Sequence, residues 1–213
     1  MKYILIPTLV IFLSACSSAY YGGLEKIGIP KREVMVYRVA KARDTQQETK
    51  EQFKSALEQF TALTRYQGGN LDTIYQRLNG EYEDSIKQAD LVKKRIRDIE
   101  DVSDALFREW ETEITQYNNV SFKSSSQQKL SATKVQYRQL ITAMKNAEAK
   151  LPPILSVFKD HVMFLKHNLN ANAIASLKNE LGSIKSDVSN LITAMEKSIN
   201  EANAFIKTMD KAG

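Results

Sequence analysis

Apolar residues recur at alternating steps of three and four over the C-terminal part of the chain. This spacing keeps them on one face of an α-helix and is typical of a coiled-coil seam. The pattern predicts a helix that begins after a weak boundary between Asn168 and Asn172. The alternative is one helix that continues from Pro153 to the C-terminus. The seam consists of Ile174, Leu177, Leu181, Ile184, Val188, Leu191, Met195, Ser198, Ala202, Phe205 and Met209.

Two earlier segments have the length and the stop signals of long helices. The first predicted helix runs from Lys31 to Arg65 and is terminated by Gly68-Gly69-Asn70. The second runs from Leu71 to Tyr117 and carries apolar residues at steps of four and three along most of its length. We therefore expect these two helices to be joined by a short turn.

A third helix is expected to begin near Gln127, because Asn118-Asn119 and Ser124-Ser125-Ser126 are typical of a loop. Its seam is interrupted by Pro152-Pro153. Proline inside a helix removes a hydrogen-bond donor and clashes with the preceding turn, so we expect a kink or a break there.

Together these segments predict an all-α fold over residues 30–213, an elongated antiparallel bundle or coiled coil of about four long helices. The chain of 213 residues has only 8 Gly and 4 Pro, too few turn-forming residues for a sandwich, a barrel or a doubly wound sheet. The net charge is +3 over residues 16–65, −5 over 66–122 and +6 over 123–213. An acidic second helix beside basic neighbours favours antiparallel packing, while the apolar seams supply most of the stability.

The middle of the first helix has no clear apolar seam. Residues 43–52 are polar on every face, and a helix that is polar all round is exposed to solvent or contacts a polar partner. The sequence therefore predicts a partner surface here, formed by Asp44, Gln46, Gln47 and Glu48.

Residues 1–15 are predicted to be a secretory signal peptide. Lys2 gives a positive start, and the apolar run from Tyr3 to Leu13 is too short for the ~20 residues that span a bilayer. The sequence Leu13-Ser14-Ala15-Cys16 looks like the lipobox of bacterial lipoproteins. The resemblance implies that Leu13, Ser14 and Ala15 are read by the signal peptidase, that cleavage precedes Cys16, and that acyl chains are attached to this residue.

Cys16 is the only cysteine, which excludes an internal disulfide and suits a thiol used as a lipid anchor. By analogy with such lipoproteins, Ser17 in place of Asp favours the periplasmic face of the outer membrane. Residues 16–29 are then a lipidated tether, made flexible by their glycines. Tyr20 and Tyr21 are expected either at the membrane interface or against the end of the bundle.

Few residues suggest further chemistry. A formal charge of +5 could indicate nucleic acid, but an exported, anchored chain does not meet it. His161 and His167 are six residues apart and do not share a helix face, so no metal is predicted, nor any other cofactor. The chain contains no phosphate-binding loop, nucleophile elbow or zinc-protease motif, and an enzyme is the weakest functional hypothesis.

The mature chain resembles a family of uncharacterised helical lipoproteins of Gram-negative bacteria, a domain family of unknown function. The resemblance implies a helical envelope lipoprotein and transfers no catalytic residue. It is carried by Tyr20-Tyr21-Gly22, Glu25-Lys26, Lys31-Arg32, the run from Arg43 to Phe60, and the run from Phe164 to Ala171.

Two hypotheses of different classes follow. The first is a structural or interaction module that is anchored through acyl chains on Cys16 and contacts an envelope protein or peptidoglycan; the sequence leaves its oligomeric state open. The second is a carrier of lipid or another hydrophobic ligand. Its cavity would open at the proline pair and be lined by Leu155, Phe158, Met163 and Phe164.

Overall fold

The computed structural model describes residues 13–65, 70–168 and 171–211, and every regular element in them is an α-helix. The predicted all-α fold is confirmed for this part of the chain, whereas residues 1–12 of the predicted signal peptide lie outside it. None of the described helices is both long and apolar enough to cross a bilayer. In chain order the helices are α1 (Leu13–Lys26), α2 (Lys31–Thr64), α3 (Leu71–Gln116), α4 (Val120–Glu148), α5 (Leu151–His167) and α6 (Ala171–Lys211).

Asparagine caps determine where two of the long helices begin. The Asn70 side chain accepts hydrogen bonds from the first backbone N–H groups of α3, and Asn119 does the same for α4, at 2.9 and 3.1 Å. The predicted start of the third helix near Gln127 is therefore wrong. Ser124-Ser125-Ser126 is helical, because serine costs only a few tenths of a kcal/mol inside a helix and the cap lies upstream.

The chain breaks just before the proline pair. Helix α4 ends at Glu148 and α5 begins at Leu151, so Pro152 and Pro153 occupy the first turn of a new helix. Proline is tolerated there, because backbone N–H groups of the first turn have no acceptor within the helix. The predicted break is observed. The alternative of one helix from Pro153 to the C-terminus is wrong, because α5 ends at His167.

Neighbouring helices pack antiparallel. Lys31 at the start of α2 contacts Glu109 near the end of α3, whereas Gln52, farther along α2, contacts Glu81, which lies earlier in α3. Both nitrogen–oxygen distances are 2.7 Å. The acidic residues of α3 thus face basic residues of α2 and α4, as the charge pattern predicts, although each exposed pair contributes under ~1 kcal/mol. Two contacts show the antiparallel packing of α3 with α4, Trp110–Ser126 (2.8 Å) and Glu100–Lys145. Two others show it for α2 with α6, Arg43–Asn203 (3.2 Å) and Lys50–Glu196 (3.5 Å).

Helices α2 to α6 share one continuous core. All the predicted seam positions of α6 are buried except Leu181, which is half-buried. Helix α5 faces α2, because Phe158 stacks on Phe53 with ring centroids 6.1 Å apart. Helices α4 and α5 together therefore fill the place predicted for a single third helix.

The seam of α2 runs through its polar middle, contrary to the prediction of an exposed stretch. It comprises Met35, Val39, Ala42, Gln46, Thr49, Phe53, Ala56, Phe60 and Leu63, which alternate in steps of four and three. Gln46 is 1% exposed, so its assignment to a partner surface is wrong. Among the described residues, neither the nitrogen nor the oxygen of its side-chain amide has a hydrogen-bond partner.

The tether predicted for residues 16–29 is largely helical. Helix α1 covers Leu13–Lys26, and Gly28, at φ +85°, makes the turn into α2. Tyr21 is fully buried against the bundle, which is one of the two positions expected for the tyrosines, whereas Tyr20 is 53% exposed. Burial of a large aromatic ring outweighs the weak helix propensity of Gly22-Gly23.

The unpartnered amide of Gln46 makes a stability prediction. Replacing Gln46 with Leu, which has a similar volume, should raise the free energy of unfolding by about 1–3 kcal/mol, because the buried amide gains no hydrogen bond to offset its desolvation. Urea unfolding followed by circular dichroism measures this. Gln47→Leu on the exposed face is the matched control and should change stability by less than ~0.5 kcal/mol. A large loss of stability in Gln46→Leu would contradict the assignment.

Candidate functional site

Tyr21 fastens α1 to the bundle. Its hydroxyl donates a hydrogen bond to the Asp101 carboxylate and accepts one from the Arg38 guanidinium, with a nitrogen–oxygen distance of 2.6 Å. Arg38 also donates to the backbone oxygen of Asp98 over 2.6 Å. Burial and the bond to Asp101 raise the pKa of the Tyr21 hydroxyl far above its ordinary value. The hydroxyl therefore remains a proton donor, and α1, α2 and α3 are joined through one side chain.

A second cluster closes the turn between α1 and α2. The Lys31 ammonium donates to Glu109 on α3 and to Glu25 on α1, and its side chain is 11% exposed. Burial raises the pKa of Glu109, whereas the hydrogen bond from Lys31 lowers the pKa of Glu25. One cation thus compensates two carboxylates at the end of the bundle where α2 begins.

A cleft of about 400 Å³ opens beside this cluster. Helix α3 continues for seven residues past Glu109, about 10 Å, so its inner face and that of α4 extend beyond the start of α2. The Trp110 indole N–H crosses the gap to the Ser126 hydroxyl over 2.8 Å. The apolar part of the lining includes Pro30, Leu106, Trp110 and Met209.

Three charged side chains that line the cleft form no ion pair with another described residue. They are Arg32, Glu113 and Lys129. Arg32 is half-buried and also lines an adjoining cleft of about 570 Å³, together with Val36 and Tyr37. A partly desolvated guanidinium without a carboxylate is an available anion-binding group.

The predicted lipobox lies at the start of α1. Leu13, Ser14, Ala15 and Cys16 belong to its first turn, and Cys16 precedes Tyr21 by five residues, about 7.5 Å of helix. The contacts of Tyr21 with Arg38 and of Glu25 with Lys31 show that this later part of α1 runs antiparallel to α2.

The predicted partner surface is divided by the structure. Asp44, Gln47 and Glu48 are exposed on the outer face of α2, while Gln46 lies in the core. Asp44 accepts hydrogen bonds from Arg43 at 2.7 and 2.9 Å. This outer face and the cleft are separate surfaces, since none of the three exposed residues lines the cleft.

Among the described residues, only a small space lies beside Phe158, one of the residues predicted to line a cavity at the proline pair. Phe158 packs on Phe53, and the space beside it is about 10 Å³, close to the minimum for one water molecule. Met163 and Phe164, expected to line the cavity, are 55% and 41% exposed. The break before Pro152 leaves the core filled, because the seam resumes with Leu151 and Ile154, both buried.

The two histidines have different surroundings. His161 is buried, and its ring lies 4.8 Å from that of Phe60. Its Nε2 is 3.1 Å from a Glu180 carboxylate oxygen, without the geometry of a hydrogen bond. Burial lowers the pKa of His161, and Glu180 and Asp160 oppose this only in part. In the described ranges, no three His, Cys, Asp or Glu residues are grouped to hold a metal.

The sequence reasoning did not find the cleft. Its signals were the greater length of the second predicted helix and Trp110, the one tryptophan of the chain, near the end of that helix. Neither signal identifies a cleft until the relative offset of α2 and α3 is known.

One family model matches residues 20–209, and it is described as a protein of unknown function (DUF2959). No curated protein and no solved structure matches the chain.

Removing the Tyr21 hydroxyl should loosen α1. Tyr21→Phe keeps the buried ring but leaves Asp101 and Arg38 without their shared partner, which should cost about 1 kcal/mol. Hydrogen exchange measured by mass spectrometry should speed up in residues 20–26. Tyr20→Phe on the exposed side is the control, and equal effects of both variants would show that the hydroxyl network does not hold α1.

The buried His161 should lower the free energy of unfolding as the solution becomes acidic. Its pKa is lower in the folded chain than the ordinary 6.5, so below pH 6.5 the unfolded chain binds a proton that the folded chain does not. The free energy of unfolding should therefore fall as the pH decreases from 6.5 to the folded pKa. Urea midpoints measured across this range should decrease less steeply for His161→Leu, while exposed His167→Gln should keep the parent slope. An unchanged slope in His161→Leu would contradict the prediction.

Proposed function

This chain belongs to the DUF2959 family of proteins of unknown function, and we propose that it is a lipid-anchored helical module of the bacterial cell envelope that binds a partner. The anchor is the acylated Cys16, and the module is an elongated antiparallel bundle whose long sides are α2, α3, α4 with α5, and α6. Residues 1–15 are its signal peptide. Its location is the periplasmic face of the outer membrane.

The observation that carries the proposal is the sequence around Cys16. A short apolar run ends in Leu13-Ser14-Ala15, and the one thiol of the chain follows at once. Transfer of acyl chains needs a thiol acceptor, and several chains on one residue give firm membrane attachment. No second cysteine competes for this role.

The packing of α1 supports a mechanical link between anchor and bundle. Tyr21, five residues after Cys16, is held by Arg38 of α2 and Asp101 of α3. Lys31 adds ion pairs to Glu25 and Glu109 at the next turn. A force or a displacement at the anchor would therefore reach two long helices without passing through a flexible segment.

The dimensions and the outer surface of α2 support a role in partner binding. Helix α3 has 46 residues, which corresponds to about 70 Å, so the bundle presents long exposed sides to a partner. Asp44, Gln47 and Glu48 form an exposed polar patch on α2 that does not contribute to the core. We propose that this patch contacts an envelope protein or peptidoglycan.

Cys16→Ala should abolish acylation and leave the longer, unprocessed precursor. Metabolic labelling with an alkyne-tagged fatty acid, followed by gel analysis, measures both. Ser18→Ala is the matched control and should label normally. In the same cells, a photocrosslinker at Gln47 should trap the partner, and one at the core position Ser198 should not. Normal processing of Cys16→Ala would overturn the anchor, whereas equal crosslinking from both positions would overturn the partner patch.

A further inference from the structure

We propose that the cleft at the α1 end of the bundle binds a phosphate-bearing alkyl amphiphile, with the alkyl chain against Trp110 and the phosphate at Arg32. The proposal is independent of the anchoring of Cys16. It assigns a ligand class to a surface that is separate from the partner patch on α2.

The cleft has the size and the lining of a ligand site. About 400 Å³ lies within the ~300–1,000 Å³ typical of small-molecule sites, which are mostly apolar with a few convergent polar groups. Its apolar lining includes buried Leu106 and Met209 and half-buried Trp110. By contrast, the space beside Phe158, about 10 Å³, has no room for an alkyl chain.

The overhang of α3 and α4 explains why this space is unfilled. Trp110 of α3 directly follows Glu109, which contacts Lys31 at the start of α2, and Trp110 is only half-buried. Helix α6 also ends near this level, because Met209 lines the same cleft as Pro30. Trp110 thus lacks part of the cover that α2 provides to the rest of α3, and an alkyl chain would supply it.

Arg32 is the group suited to a phosphate. It lies at the junction of the two adjoining clefts and is half-buried, and no described carboxylate comes within 4 Å of its side-chain nitrogens. Its planar guanidinium can donate two parallel hydrogen bonds to a phosphate or carboxylate. Exposed Lys129 of α4, which also lines the cleft, adds a second cation.

None of the described carboxylates that line the two clefts forms an ion pair with Arg32, including exposed Glu33 and Asp210 of the adjoining cleft. Glu25 and Glu109 are bound by Lys31, so part of their charge is compensated within the protein. Glu113 is exposed and lies on the same helix as Trp110. A head group that carries an ammonium beside its phosphate would also fit, because the Glu113 carboxylate and the face of the Trp110 ring both attract cations.

The position of Trp110 makes binding directly measurable. The experiment uses the mature chain, residues 16–213, carrying Cys16→Ser, so that neither an acyl chain nor the apolar run from Tyr3 to Leu13 competes for the cleft. Dodecyl phosphate, dodecylphosphocholine and dodecyltrimethylammonium are added below their micelle concentrations, and Trp110 emission is recorded. The two phosphates should shift the emission saturably, and the ammonium compound should bind at least about tenfold more weakly. The comparison of the two phosphates separates an anionic from a zwitterionic head group.

Arg32→Gln should weaken the binding of both phosphates by roughly tenfold, because a charge-assisted hydrogen bond to the phosphate is lost. Lys159→Gln, at an exposed position on α5, is the charge control and should bind as the parent does. Circular dichroism of each variant confirms the fold. Equal affinity for dodecyltrimethylammonium, or unchanged binding by Arg32→Gln, would overturn the proposal.

A further control addresses non-specific binding to exposed apolar residues at the same end. Val120 and Phe122, at the start of α4, are 80% and 63% exposed. The double variant Val120→Ser, Phe122→Ser should retain phosphate binding. If it loses binding while Arg32→Gln keeps it, the amphiphile binds this exposed end and the assignment to the cleft is wrong. Acylation of Cys16 is read from a separate assay, so either proposal can fail alone.

Discussion

The antiparallel register of α2 against α3 determines most other features of this protein. An α-helix of this kind buries one stripe, and its neighbours must cover that stripe along its length. Helix α3 has 46 residues and α2 has 34, so α3 must extend past α2 by about 18 Å in total. The Lys31–Glu109 contact sets how much of this excess lies at the α1 end. The cleft and the attachment site for α1 both result from that offset.

Helix α1 uses the same register. Tyr21 inserts where Arg38 of α2 comes level with Asp101 of α3, a juxtaposition that a shift of either helix by one turn would remove. The buried hydroxyl remains protonated because its pKa is raised, so the contact is a hydrogen-bond network and not an isolated ion pair. An interaction of this kind depends on position more strongly than apolar packing does.

Sequence reasoning predicted the long helices and the α6 seam well but misjudged individual polar residues. Gln46 and Gln47 are identical in chemistry and adjacent in sequence, yet one is in the core and the other is exposed. A polar residue at a seam position is indistinguishable from an exposed one until the flanking buried residues, here Ala42 and Phe53, define the stripe. Asn119 was a similar case: its cap places Ser124 inside a helix, although serine-rich stretches favour loops.

The sequence by itself determined the all-α class, the approximate extent of α2, α3 and α6, and the break before the proline pair. These features depend on local terms: the periodicity of apolar residues, the missing N–H group of proline and the strong stop at Gly68-Gly69. Only the tertiary structure decided that Tyr21 is buried, that Gln46 lies in the core and that the cleft opens beside Trp110. Each of these depends on the offset between helices that are far apart in sequence, and helical periodicity contains no information about that offset.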